Sequence, residues 1–94
     1  MYLRITMGQA QPGKADELAA RWKEHFGAQP AVPQLRHRYF SVDRATDMVA
    51  SVGIWNTEPD EAQLQSAIEA FTAKVSDLVA VRPQVTTYEV LAEL

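Results

Sequence analysis

Apolar residues in this chain recur first at every second position, then at every third or fourth, and the same change of period happens again in the second half. That order constrains the fold more than any other feature. A period of two buries one face of a strand, and a period near 3.6 buries one stripe of a helix. The opening run Tyr2-Leu3-Arg4-Ile5-Thr6-Met7 alternates, with Leu3, Ile5 and Met7 on one face and Tyr2, Arg4 and Thr6 on the other. It predicts a strand, broken by Gln11-Pro12-Gly13. From Lys14 onward Ala15, Leu18, Trp22 and Phe26 recur at helical spacing, with charged residues between them. This predicts an amphipathic helix of about four turns. Asp16 and Glu17 suit its partially positive first turn, and Gly27 is expected to stop it in the left-handed conformation. Pro30 and Pro33 then hold the chain extended.

Leu35 to Val42 and Met48 to Trp55 read as two strands of a hairpin, joined by the polar stretch Asp43-Arg44-Ala45-Thr46-Asp47. An even loop places Ser41 opposite Met48 and Phe40 opposite Val49. One face then carries Leu35, His37, Tyr39, Met48, Ala50, Val52 and Ile54, and the other Arg36, Arg38, Phe40, Val49, Ser51, Gly53 and Trp55; an odd loop swaps the pairing. Thr57-Glu58-Pro59-Asp60 predicts a helix start capped by Thr57. Leu64, Ile68, Phe71, Val75 and Leu78 make a stripe running to about Ala80, and Pro83 is expected to end it. Val85 to Leu91 reads as the last strand, with Thr86, Tyr88 and Val90 on one face.

The order strand, helix, strand, then strand, helix, strand predicts one α+β domain over residues 1–94. The expected fold is ferredoxin-like βαββαβ, a four-stranded antiparallel sheet with both helices on one face. The chain has 47 % apolar residues, enough for a core but a small one. The sheet face away from the helices also carries large apolar side chains. A monomer would leave that face wet, so a homodimer with two sheets packed together is expected. A net charge of −3 argues against a general nucleic-acid binder. With no cysteine, thiolate nucleophiles, disulfides and zinc–thiolate sites are excluded. No signal peptide and no long apolar span is visible, so a soluble cytoplasmic protein with no membrane partner is expected.

The element order, Pro12-Gly13-Lys14 opening the first helix, and Ile54-Trp55-Asn56 running into Thr57-Glu58 together resemble the antibiotic-biosynthesis-monooxygenase-like family. Phe71 in the second helix and the closing strand after Pro83 add to the resemblance, which spans nearly the whole chain. It implies a dimeric α+β barrel with a pocket between sheet and helices in each subunit. Some members of the family it resembles oxidise aromatic substrates with molecular oxygen and no prosthetic group, and others degrade haem. The haem-degrading branch pairs an asparagine, a tryptophan and an iron-ligating histidine. Here Trp55 matches the tryptophan, but Thr6 stands for the asparagine and Val75 for the histidine. That branch is therefore disfavoured.

Several residues could carry chemistry. Trp55 is either a pocket wall that stacks on a flat substrate or a core aromatic at a strand end. His25 and His37 are the only side chains with ordinary pKa values near neutrality, hence the candidate proton carriers, against surface or structural roles. Their spacing suggests no metal site. Arg36 and Arg38, near Trp55, could hold an anionic or phenolate-like ligand or could instead protect an edge strand. No serine-hydrolase, phosphate-loop or dinucleotide pattern occurs. The expected pocket is built from Trp22, Arg38, Trp55, Ile68 and Phe71. The expected chemistry is oxidation of a small aromatic or quinol-type molecule with no metal and no bound cofactor. The other reading is a non-catalytic ligand-binding or accessory protein on the same scaffold.

Overall fold

The computed structural model describes all residues from Met1 to Leu94. Strands β1 (Tyr2–Ala10), β2 (Leu35–Asp43), β3 (Met48–Trp55) and β4 (Val79–Glu89) form one antiparallel sheet in the order β2-β3-β1-β4. Helices α1 (Ala15–Gly27) and α2 (Glu61–Lys74) fill the two crossovers, giving the ferredoxin-like arrangement that the two changes of period predict. The core is thin. Ala15 and Leu18 of α1 meet Ala10, Val49, Val75 and Leu78, with Phe40, Val42 and Phe71 packed around them.

The β2–β3 hairpin keeps the expected faces but not the expected pairs. Ser41 lies opposite Ala50 and Phe40 opposite Ser51, because the loop closes after Asp43 pairs with Met48. Asp47 takes a left-handed conformation there, and the Asp43 side chain accepts a hydrogen bond from the Ala45 backbone N–H. Two residues of slippage leave every side chain on its face, since the period is two. A bulge between Leu35 and His37 does change faces. It turns Leu35 toward the helices, where its side chain approaches Gly53, and separates exposed Arg36 from half-buried Arg38. The expected Arg36–Arg38 pair on one face does not form.

Other boundaries move too, among them the end of β4, at Glu89 rather than Leu91. Strand β1 continues past Met7 to Ala10. Helix α2 starts at Glu61, and its cap is Asp60, which accepts from Gln63 N–H, rather than Thr57. It ends at Lys74. Val75 and Leu78 stay buried through a short 3₁₀ turn, Ser76–Leu78, because a spacing of three fits that turn as well as an α-helix. Strand β4 then begins at Val79, so Pro83 lies within it. An edge strand tolerates proline where its ladder is already irregular. The β1–β4 register shifts between Met7 and Gln9, and a side chain on Gly8 would crowd Val81 and Pro83. Gly27 is not left-handed; the positive-φ glycine is Gly13, in the turn before α1.

Candidate ligand site

Helix α2 has no fully buried residue. It is held to the rest of the fold at its two ends. Near its start, Glu61 accepts from Arg4 Nε at 3.2 Å and from the Thr87 hydroxyl. Near its end, Phe71 packs on Phe26 at 5.4 Å between ring centroids and on His25 at 5.3 Å. Between these anchors the helix stands off the sheet. A cavity of about 700 Å³ lies beneath it, open on one side and lined by α1, α2 and the helix-facing side of the sheet.

Trp22, Phe26, Phe40, Trp55, Ile68 and Phe71 supply apolar walls to this cavity. Trp22 lies 5.5 Å from Phe40 and 5.8 Å from Phe26 in tilted contacts, the offset geometry that aromatic pairs prefer. Trp55 is 6 % exposed. Its indole lies back over Gly53, where a Cβ atom would fall 2.8 Å from Nε1. Glycine is thus required there for the indole to occupy that place.

Strand register sets the polar groups in one row. Arg38 of β2 and Arg4 of β1 both pair with Gly53, and Arg4 pairs on its other side with Thr87 of β4. Directly paired residues project from the same face, so Arg4 and Arg38 stand on either side of the indole that covers Gly53. Arg4 is 7 % exposed, and its Nη2 is buried with no acceptor. Such an unmet donor costs about 1–3 kcal/mol. Arg38 has its guanidinium 4.8 Å from the Phe26 ring centre, a cation–π contact. Burial, with the Arg4 charge adding to it, disfavours the charged form of Arg38 and lowers its pKa from the ordinary arginine value. Arginine nevertheless stays cationic near neutrality.

The sequence-predicted residues separate cleanly in space. Trp22, Arg38, Trp55, Ile68 and Phe71 come together on this cavity. His37 does not. It stacks on Tyr39 at 6.1 Å, on the sheet face turned away from the helices. His25 lies behind the cavity wall, edge-on to Phe26 at 4.8 Å. Its Nδ1 is 3.3 Å from Lys74 Nζ, so the ammonium donates to a neutral ring. Burial first, and the Lys74 charge second, lower the His25 pKa. The expected imidazolium favoured by the helix end is therefore outweighed. Neither histidine nor tyrosine lines the cavity. Val75 is a buried apolar residue.

Phe26, Phe40 and Glu61 also contribute, though the sequence does not single them out. Phe26 belongs to the α1 stripe and reads as core. Glu61 reads only as helix-end charge, and its pairing with Arg4 depends on how α2 docks. No group of three or more His, Asp or Glu side chains is placed to hold a metal. No helix is long and apolar enough to cross a membrane.

No family model and no curated protein matches the sequence. Solved structures do match its fold over nearly the full length. A Nitrosomonas europaea protein, provisionally named an antibiotic biosynthesis monooxygenase, aligns with TM-score 0.75 at 14 % identity, covering 98 % of this chain and 100 % of its own. A Chloroflexus aurantiacus protein with the same provisional name aligns at 0.69 and 18 %, covering 99 % and 95 %. Rv0793 of Mycobacterium tuberculosis aligns at 0.70 and 14 %, covering 98 % and 96 %. At these identities the likeness is one of fold. It agrees with the family whose architecture the sequence resembles.

Proposed function

We propose that this chain is a homodimeric protein of the antibiotic-biosynthesis-monooxygenase kind, which binds a flat aromatic or quinol-type molecule in the cavity of each subunit. The observation that carries the proposal is the cavity itself: about 700 Å³ between helices and sheet, with an aromatic wall and few, specific polar groups. Trp22, Ile68 and Phe71 would contact the faces of the ligand, Trp55 would stack at its edge, and Arg38 would meet its oxygen.

The reaction that fits is oxygenation without a bound cofactor. The substrate loses a proton to become an electron-rich anion, and that anion reacts with oxygen itself. The electrons must then all come from the substrate. This is met when a carbon bearing two hydrogens becomes a carbonyl: one oxygen atom stays on carbon, and the other leaves as water with those two hydrogens. Guanidiniums beside the developing anion stabilise it in a site of low dielectric. His25 is the nearer histidine, and Phe26 and Phe71 stand between it and the cavity, so a proton would reach it through water.

A second reading, binding without turnover, is favoured by one feature: the cavity lining contains no histidine or tyrosine to take that proton. Mass spectrometry of ligands retained by the purified protein, followed by oxygen uptake on those ligands, separates the two. Oxygen consumption with a product bearing one oxygen more and two hydrogens fewer supports oxygenation. A retained aromatic ligand with no uptake supports the binding protein. Retention of no aromatic ligand, and no binding of added ones, would refute both.

A further inference from the structure

We propose that the ligand of this cavity is an aromatic acid, whose carboxylate meets the Trp55 indole N–H and the guanidiniums of Arg4 and Arg38. The proposal rests on the aromatic-cavity reading above and narrows it to one substrate class.

The row across the sheet presents donors. Arg38 and Arg4 pair with Gly53 from its two sides, and the Trp55 indole fills the place over Gly53 where a side chain would stand. The indole N–H has no acceptor in the protein; the Thr87 hydroxyl, at the end of the row, is turned to Glu61. Arg4 Nη2 is also without an acceptor, although it is buried. Arg38 forms no ion pair; the ion pairs of the chain are Arg4–Glu61, Lys14–Glu17 and Arg44–Asp16.

The available acids do not compensate this row. Glu61 meets Arg4 through Nε, on the side toward Thr87 and away from Arg38. Asp60 lines the cavity but is committed to capping α2. Glu58 is on the exposed rim. Of the two guanidiniums only Arg4 has a carboxylate partner; Arg38 has none and is set against aromatic rings, where charge is poorly screened. A planar carboxylate matches guanidinium and indole N–H groups in shape and charge, and it is ionised at neutral pH. Inorganic phosphate would satisfy the donors but leave the aromatic walls without a partner. A neutral aromatic would fill the walls and leave the donors unmet.

Isothermal titration of the full chain with naphthalene-2-carboxylate and with naphthalene-2-carboxamide, its neutral isostere, tests the idea. The carboxylate should bind at least about tenfold more tightly. Arg38→Gln should abolish that preference with little effect on the amide, and Arg38→Lys should restore part of it. Equal binding of the two probes, or a preference that survives Arg38→Gln, would overturn the proposal. Tighter binding of the amide overturns it too, while leaving the aromatic-cavity reading standing. If neither probe binds, both fall. Should Arg38→Gln fail to fold, the wild-type comparison still decides.

Discussion

A methyl group at position 53 would lie 2.8 Å from Trp55 Nε1, closer than packed atoms tolerate. In an ordinary strand, glycine to alanine stabilises by restricting the unfolded chain. Here the sign should reverse, because a nearly buried indole has to move. Gly53→Ala is expected to lower stability by about 1–3 kcal/mol, the scale of overpacking, and to alter the near-ultraviolet circular dichroism of Trp55. An unchanged denaturation midpoint would show that the indole moves freely. His25 gives a second residue-scale test. Its folded-state pKa lies below its ordinary value because burial, then Lys74, disfavour the charged ring. The unfolded chain therefore takes up the proton first. The contribution of this group is fully present above about pH 6.5 and is lost as pH falls below that value. An NMR titration should place the His25 midpoint below the ordinary histidine value, and Lys74→Met should raise it. A midpoint insensitive to Lys74→Met would show that the Lys74 charge does not act on His25. The sequence shows Gly53 and Trp55 two apart on a strand, hence on one face. It does not show that the indole folds back over the glycine, which is a rotamer set by tertiary packing.

Among the elements, α2 stands apart because it is anchored at its ends and roofs a cavity between them. Helices without buried side chains open locally at low cost. Amide hydrogen exchange should therefore be faster across residues 61–74 than across β1 and β3, and a bound ligand should slow it. Uniform protection of helix and sheet would contradict this picture of a loosely seated roof. The same helix shows what periodicity can and cannot reveal. The stripe Leu64, Ile68, Phe71, Val75 and Leu78 is real, and its buried members are where the pattern puts them. Its length misleads, because Val75 to Leu78 keeps the apolar spacing in a tighter turn. The hairpin faces were legible because parity alone decides them. The bulge at Leu35 was not, since neither Leu35 nor Arg36 marks it, and it is the bulge that removes Arg36 from the site. Pro83 reads as a helix stop, while its actual place in β4 depends on the close approach that Gly8 permits.

At the scale of the whole molecule, one side of the sheet is uncovered. Met7, Tyr39 and Tyr88 on that side are 50 %, 54 % and 52 % exposed, with Leu3, Ile5, Val52 and Ile54 half-buried among them. A patch of this kind exceeds what soluble monomers usually present. Sedimentation equilibrium should give about twice the 10.5 kDa chain mass. Met48→Asp and Val52→Asp should weaken assembly by placing an unpaired carboxylate in an apolar interface. A monomer at micromolar concentration, or variants that assemble unchanged, would contradict the homodimer. On the opposite side of the sheet lies the cavity under α2, proposed above to bind flat aromatic molecules. Trp22→Phe leaves Trp55 as the sole tryptophan and keeps an aromatic ring in the wall. Fluorescence titration of this variant with 1,4-naphthoquinone is the most direct measurement. Saturable quenching with one site per chain is expected, lowered in affinity when Phe71 is replaced by alanine. Quenching that rises linearly without saturation, as for random collisions in solution, would contradict it.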